Sequence, residues 1–261
     1  MKKENPLDYA YAVGRVRALE RNLIPRSIFL GACDDENFFS ALKEVFDAGA
    51  FIQELKEIRD SRELDQFIRN EEDALIKDVS ILFLNSAFTS VIGFLKAPWK
   101  ALESARPAGN RFIIDYFRHL IDLGNLKLLA RTKYLTWEEE QLRPLLAAGG
   151  FLDTGRILSG LSMSFADFSD SIQATSYGEI WADGVDALEN EETFIDLERG
   201  MEDFRMRFLR RAKHITFGPE PVFAYALARK QELGLLRILG VGKLNRVPPE
   251  ILKRRMSETY V

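Results

Sequence analysis

One cysteine among 261 residues, Cys33, has nothing to pair with inside the chain. An intrachain disulfide and a thiolate metal cluster are both excluded, and a reduced compartment, the cytoplasm, is the simpler setting. Histidine is almost as scarce. His119 and His214 have no His or Cys at metal-ligand spacing and read as ordinary packed or surface residues. No serine lies in a Gly-x-Ser-x-Gly elbow, and Gly149-Gly150 lacks the Lys-Ser/Thr that completes a phosphate loop. Glu138-Glu139-Glu140 point in different directions on a helix and suit its first turn. No catalytic, cofactor-binding or metal-binding residue is therefore expected. A dominant charge is missing too: 36 Lys and Arg against 40 Asp and Glu leave −4, a poor balance for gripping nucleic acid. The most apolar stretch, 79–95, is interrupted by Asn85, Ser86, Thr89, Ser90 and Gly93, which makes it too short and too polar for a membrane span. The residues after Pro6 are amphipathic, so no secretory peptide is expected. No segment alternates with the period of a strand.

What is present is helical periodicity, and one pattern that occurs three times. Val13-Gly14-Arg15-Val16-Arg17-Ala18-Leu19, Leu123-Gly124-Asn125-Leu126-Lys127-Leu128-Leu129 and Leu233-Gly234-Leu235-Leu236-Arg237-Ile238-Leu239 follow one another at intervals of 110 residues. Each reads aliphatic, Gly, any, aliphatic, basic, any, Leu. The first, fourth and seventh positions share a helical stripe, so Leu126 and Leu236 are core candidates, and the basic residue lies beside the stripe. A fixed period is the sign of a chain built from repeated units. Glycine inside a helix costs about 1 kcal/mol relative to Ala. Gly14, Gly124 and Gly234 therefore mark either a helix end or kink, or else a close helix contact or the joint between two helices.

Other parts recur around these heptads. Asn5 with Pro6 opens the first helix. Asp34 and Asp35 can cap a helix from Phe38 that breaks at Asp47-Ala48-Gly49 and resumes through Phe51, Ile52 and Leu55; the stretch from Ser164 to Trp181 has the same layout. The period from Ser61 onward predicts one or two long helices, and Ala105 to Asn110 is the clearest break. Asn70-Glu71-Glu72 and Asn190-Glu191-Glu192 read as matching helix starts. Thr136 with Glu139 has the capping-box spacing of a helix running on to Gly149-Gly150. Lys133, Glu140, Leu142 and Arg143 agree with Lys243, Glu250, Leu252 and Lys253 at the same offset of 110.

Phe217-Gly218-Pro219-Glu220-Pro221, Leu233-Gly234, Leu236-Arg237, Gly242-Lys243-Leu244-Asn245, Pro248-Pro249-Glu250-Ile251 and Tyr260-Val261 carry a family resemblance. Tyr9 to Glu20 and Asn125-Leu126-Lys127 extend it. The chain resembles the C subunit of the bacterial and archaeal V-type (A-type) rotary ATPases, called the d subunit in the eukaryotic vacuolar enzyme. The resemblance implies an all-α, funnel-shaped protein of three similar helical domains around a pseudo-threefold axis. The expected division is 1–29 with 217–261, 30–109, and 110–216. It further implies a non-catalytic central-stalk subunit of a proton- or sodium-translocating assembly, held at the inner face of the membrane without a span of its own. Its partners would be the membrane rotor ring and the central shaft, with no cofactor and no nucleic acid. Arg17, Lys127 and Arg237 then line the funnel and contact a partner, or are solvated surface charge. Leu235 departs from the pattern, since the second copy has Asn125 there and the family often has Asn. The alternatives are a soluble helical-repeat adaptor for a cytosolic protein and an enzyme with an unrecognised carboxylate site.

Overall fold

A computed structural model describes residues 5–51, 58–84, 88, 91 and 97–261. Their regular structure is all helical, with no strand among the described residues. The chain forms two compact units, Met1–Ile92 with Met206–Val261, and Gly93–Arg205.

In the first unit, Asn5 accepts from Leu7 N at 3.2 Å, and Pro6 opens a 3-10 turn, Pro6–Tyr9, that leads into α1 (Ala10–Leu19). Its buried stripe is Val13 and Val16, below a buried Tyr9. α2 (Arg26–Ala32) follows. The cap of α3 (Phe38–Ala48) is Asn37 rather than Asp34 or Asp35. Asn37 Oδ1 accepts from Phe39 N and Ser40 N, both at 3.0 Å, and Ser40 completes a capping box. Asp34 is engaged elsewhere, 2.6 Å from Lys253 Nζ. Ile52 and Leu55 lie outside the described residues, as do Asn85, Ser86, Thr89, Ser90 and Gly93. α4 (Ser61–Ser80) is one helix, capped by Asp60.

The second unit begins with α5 (Pro98–Ala105) and the long α6 (Arg111–Tyr134). The helix expected from Thr136 starts later and is much shorter. Thr136 is left-handed at φ 53°, and Glu138 caps α7 (Glu139–Leu142), which gives way to a 3-10 turn at Arg143–Leu145. Pro144 favours that change, since its ring allows no continuing N–H bond. Then come α8 (Thr154–Ser162), α9 (Phe165–Ile172), α10 (Gly178–Glu191) and α11 (Ile195–Arg210), within which the chain returns to the first unit. The first unit is completed by α12 (Glu220–Leu244) and α13 (Pro249–Arg255). The Asn-Glu-Glu echo is not structural: Asn70 to Glu72 sit inside α4, whereas Asn190 and Glu191 end α10.

Each unit has its own core. In the first, Leu233, Leu236 and Leu239 of α12 pack with Phe29, Leu42, Leu64 and Phe67, and Phe46, Phe51 and Phe67 form an aromatic trio with centroids 4.6 to 5.5 Å apart. In the second, Leu123, Leu126 and Leu129 of α6 pack with Ile157, Phe168 and Trp181. Burying each of these large side chains fully contributes about 1.5–3 kcal/mol, so the heptad stripes are core because they remove whole side chains from water.

The spacing of 110 extends to the backbone. α6 ends with Trp137 N donating to Thr132 O at 2.9 Å and Thr136 N to Lys133 O; α12 ends with Val247 N donating to Gly242 O at 2.9 Å and Arg246 N to Lys243 O. Both are Schellman closures, with Thr136 (φ 53°) and Arg246 (φ 55°) in the left-handed position.

Candidate functional site

The three heptad cations all have partners of their own. Arg17 pairs with Glu20 at 2.8 Å, and its other nitrogen donates to the carbonyls of Ala212, Lys213 and Ile215 at 2.9, 3.1 and 3.3 Å. Lys127 pairs with Glu198 at 2.5 Å, and Arg237 with Asp65 at 3.0 Å. Their side chains are 29%, 36% and 58% exposed. Arg17 thus closes the carbonyls of a 3-10 turn, while Lys127 and Arg237 are helix-to-helix surface pairs of the kind worth about 0–1 kcal/mol.

Gly14, Gly124 and Gly234 are exposed inside α1, α6 and α12, and a Cβ built on any of them meets nothing within 4 Å. They make neither a helix end nor, among the described residues, a close contact, because the helical turn that buries the flanking Val13, Leu123 and Leu233 points them outward. Leu126 and Leu236 are buried. The glycines under steric demand in α12 are Gly240 and Gly242, where a Cβ would come within 2.4 Å of Leu64 and 2.3 Å of Leu252.

Two further pairs at the same spacing anchor each unit. Lys133 donates to the carbonyls of Gly160 (3.1 Å), Leu161 (3.3 Å) and Met163, where α8 ends; Lys243 donates to those of Cys33 and Asp35, both at 2.6 Å, where α2 ends. Free carbonyls at a helix C-terminus favour a cation. Burial lowers the Lys133 pKa. At the other ends of these helices are buried carboxylates. Asp122 accepts from Phe151 N (2.8 Å), Leu152 N (3.1 Å) and the Tyr177 hydroxyl (2.7 Å), and Tyr177 in turn meets His119 Nδ1 at 2.7 Å. Glu232 accepts from Ile24 N at 2.8 Å and Arg229 at 3.0 Å. Leu152 and Ile24 each stand two residues before their helix, so α6 fastens α8 as α12 fastens α2. Only the chain order differs, because α2 comes long before α12. Burial raises both carboxyls, Glu232 to about 7, against the pull of their donors.

Gly149 and Gly150 do not end a helix. Gly149 is at φ 105°, and a Cβ on Gly150 would stand 1.9 Å from Asp122 Oδ1, so the pair lets the loop pass over the carboxylate. Asn125 holds the same loop by exchanging bonds with Ala147 N (3.0 Å) and O (2.8 Å), whereas Leu235 is buried in apolar contact. The sequence signal for the anchors is an acidic residue directly before two of the heptads, which sequence alone leaves without a role because its partners are backbone groups of distant loops. Backbone N–H groups, the Tyr177 hydroxyl and Arg229 together occupy these carboxylates. Cys33 is buried, and its thiol is pushed up to about 11 by burial. No three His, Cys, Asp or Glu among the described residues stand together as metal ligands, and no described helix is long and apolar enough to cross a membrane.

In each unit, charged side chains tie loops and helix ends to one long helix. The chain belongs to the ATP synthase (C/AC39) subunit family, which it matches over residues 92–255. It is similar to the C subunit of the V-type sodium ATPase of Enterococcus hirae, 28% identical over 140 residues that cover 54% of this chain and 42% of that protein. It is also similar to the C subunits of the A-type ATP synthases of Methanococcoides burtonii (26% over 150 residues; 56% and 41%) and Pyrococcus horikoshii (26% over 161 residues; 59% and 42%). The matches span less than half the length of these relatives.

Proposed function

We propose that the chain is a non-catalytic central-stalk subunit of a V-type ion-translocating rotary ATPase or ATP synthase, joining the central shaft to the membrane rotor ring at the inner face of the membrane. Membership of the C/AC39 family carries this reading, and the relatives' names point the same way. The anchored helix ends agree with it, since an element that passes torque must not shear where its helices meet. The three-part division at 1–29 with 217–261, 30–109 and 110–216 belongs to the same proposal. So does a partner-facing role for Arg17, Lys127 and Arg237, of which Arg237 is the most exposed.

Depletion and reconstitution test it. The assembly without this chain keeps ATP hydrolysis by its soluble head but loses ion transport driven by that hydrolysis, and adding the chain back restores transport. Normal transport in its absence rules the coupling role out and favours the soluble adaptor; loss of head hydrolysis itself points to a catalytic or assembly function.

A further inference from the structure

The two anchored joints also differ in what links their helix ends. In the first unit the end of α2 is bridged to α13 by Lys253 and Asp34, 2.6 Å apart. In the second unit Arg143 holds the place of Lys253, at the offset of 110. Ser162 holds the place of Asp34, one residue after Leu161 as Asp34 is one after Cys33, the carbonyls of both preceding residues being bound by the equivalent lysines. Serine offers no carboxylate, and Arg143 turns back to Glu139. Between α7 and α8 lies an open groove of about 870 Å³ lined by Trp137, Glu138, Arg143, Ser162 and Glu189 among others.

We propose that this groove is a docking site for an arginine-bearing segment of a partner protein. Both cations in the groove are already committed, Arg143 to Glu139 and Lys133 to the carbonyls at the end of α8. What is left to a visitor is acidic and aromatic: the exposed Glu189 carboxylate, whose charge also acts on Lys133, and the Trp137 ring, 42% exposed. A guanidinium suits that set. It stacks on an indole face while its edge donates to carboxylates, and it is more weakly hydrated than an ammonium. Lysine gains less, and an acidic segment is repelled. The inference goes beyond the coupling role and does not rest on it.

The test is fluorescence anisotropy of the full chain with fluorescein-labelled hexa-arginine, compared with hexalysine and hexaglutamate at one ionic strength. Hexa-arginine saturates a single site and binds more tightly than hexalysine, and hexaglutamate does not bind. Trp137→Ala removes the stacking face and weakens binding about tenfold. Glu189→Gln removes the exposed carboxylate and weakens binding to a similar degree. Circular dichroism and melting of both variants stay those of the parent, and Asp34→Asn leaves binding unchanged. Affinity indifferent to both Trp137→Ala and Glu189→Gln, or hexalysine binding as tightly as hexa-arginine, overturns the proposal. If one groove variant fails to fold, the other decides.

Discussion

A methyl group has room at Gly124 and Gly234, which face solvent from the interiors of the two longest helices with nothing within 4 Å of a built Cβ. Alanine there loses less backbone entropy on folding and clashes with nothing. Gly124→Ala and Gly234→Ala each stabilise the chain by about 1 kcal/mol, a rise of roughly 2–4 °C in melting temperature for a protein of this size. Thermal melts followed by circular dichroism measure it, and a fall would mean that a neighbour occupies the space. Gly242 sets the opposite expectation within the same helix, because Leu252 already fills the position of its Cβ. The pattern that makes the heptad glycines conspicuous in the sequence is thus not the pattern of helix contact. A one-dimensional motif records spacing along the chain, and which side of a helix meets a neighbour depends on elements 100 or more residues away, as with Leu64 against Gly240.

At the scale of elements, α6 and α12 end in the same closure, and each uses a residue with a Cβ where the backbone is left-handed, Thr136 and Arg246. A β-branched threonine is especially ill suited to that conformation. Thr136→Gly and Arg246→Gly relieve the strain, and each gains roughly 1 kcal/mol, with the larger gain at Thr136. Chemical denaturation of the two variants checks the direction and the order; equal destabilisation in both would mean that side-chain contacts outweigh the backbone cost. These closures explain why the expected helix start at Thr136 lies two residues early. The sequence Thr-x-x-Glu fits a capping box, but Thr136 is occupied in ending α6, and Glu138 takes the cap with Gln141 as its reciprocal partner. The cap of α3 falls to Asn37 rather than Asp34 because Asn37 directly precedes Phe38 and its side chain reaches the N–H groups of Phe39 and Ser40.

At the scale of the molecule, the second unit is one continuous piece of chain with its own core around Trp181, whereas the first is assembled from both ends of the sequence. A fragment from Gly93 to Arg210, which keeps α11 whole, therefore folds alone: it is helical and melts cooperatively, as a domain with a separate core does. Residues 1–92 alone lack α12, lose the partners of Phe29, Leu42 and Phe67, and do not melt cooperatively. Far-UV circular dichroism of the two fragments tests both statements, and a non-cooperative second-unit fragment would show that its core needs the rest of the chain.

Helical class, the buried leucine stripes and the family were legible in the amino-acid order, because hydrophobic period and repeat spacing are properties of the chain itself. Leu126 and Leu236 are legible in that way, and so is the agreement of Lys133 with Lys243. The anchoring roles of Asp122 and Glu232 are not, although they share the spacing. Their donors are the N–H groups of Phe151, Leu152 and Ile24, and a backbone N–H has no letter in a sequence. The open groove beside Trp137 is hidden for a related reason. It lies where Ser162 and Arg143 stand in place of the Asp34–Lys253 ion pair, and only tertiary structure brings residues 19 and 219 positions apart to the same place in two joints.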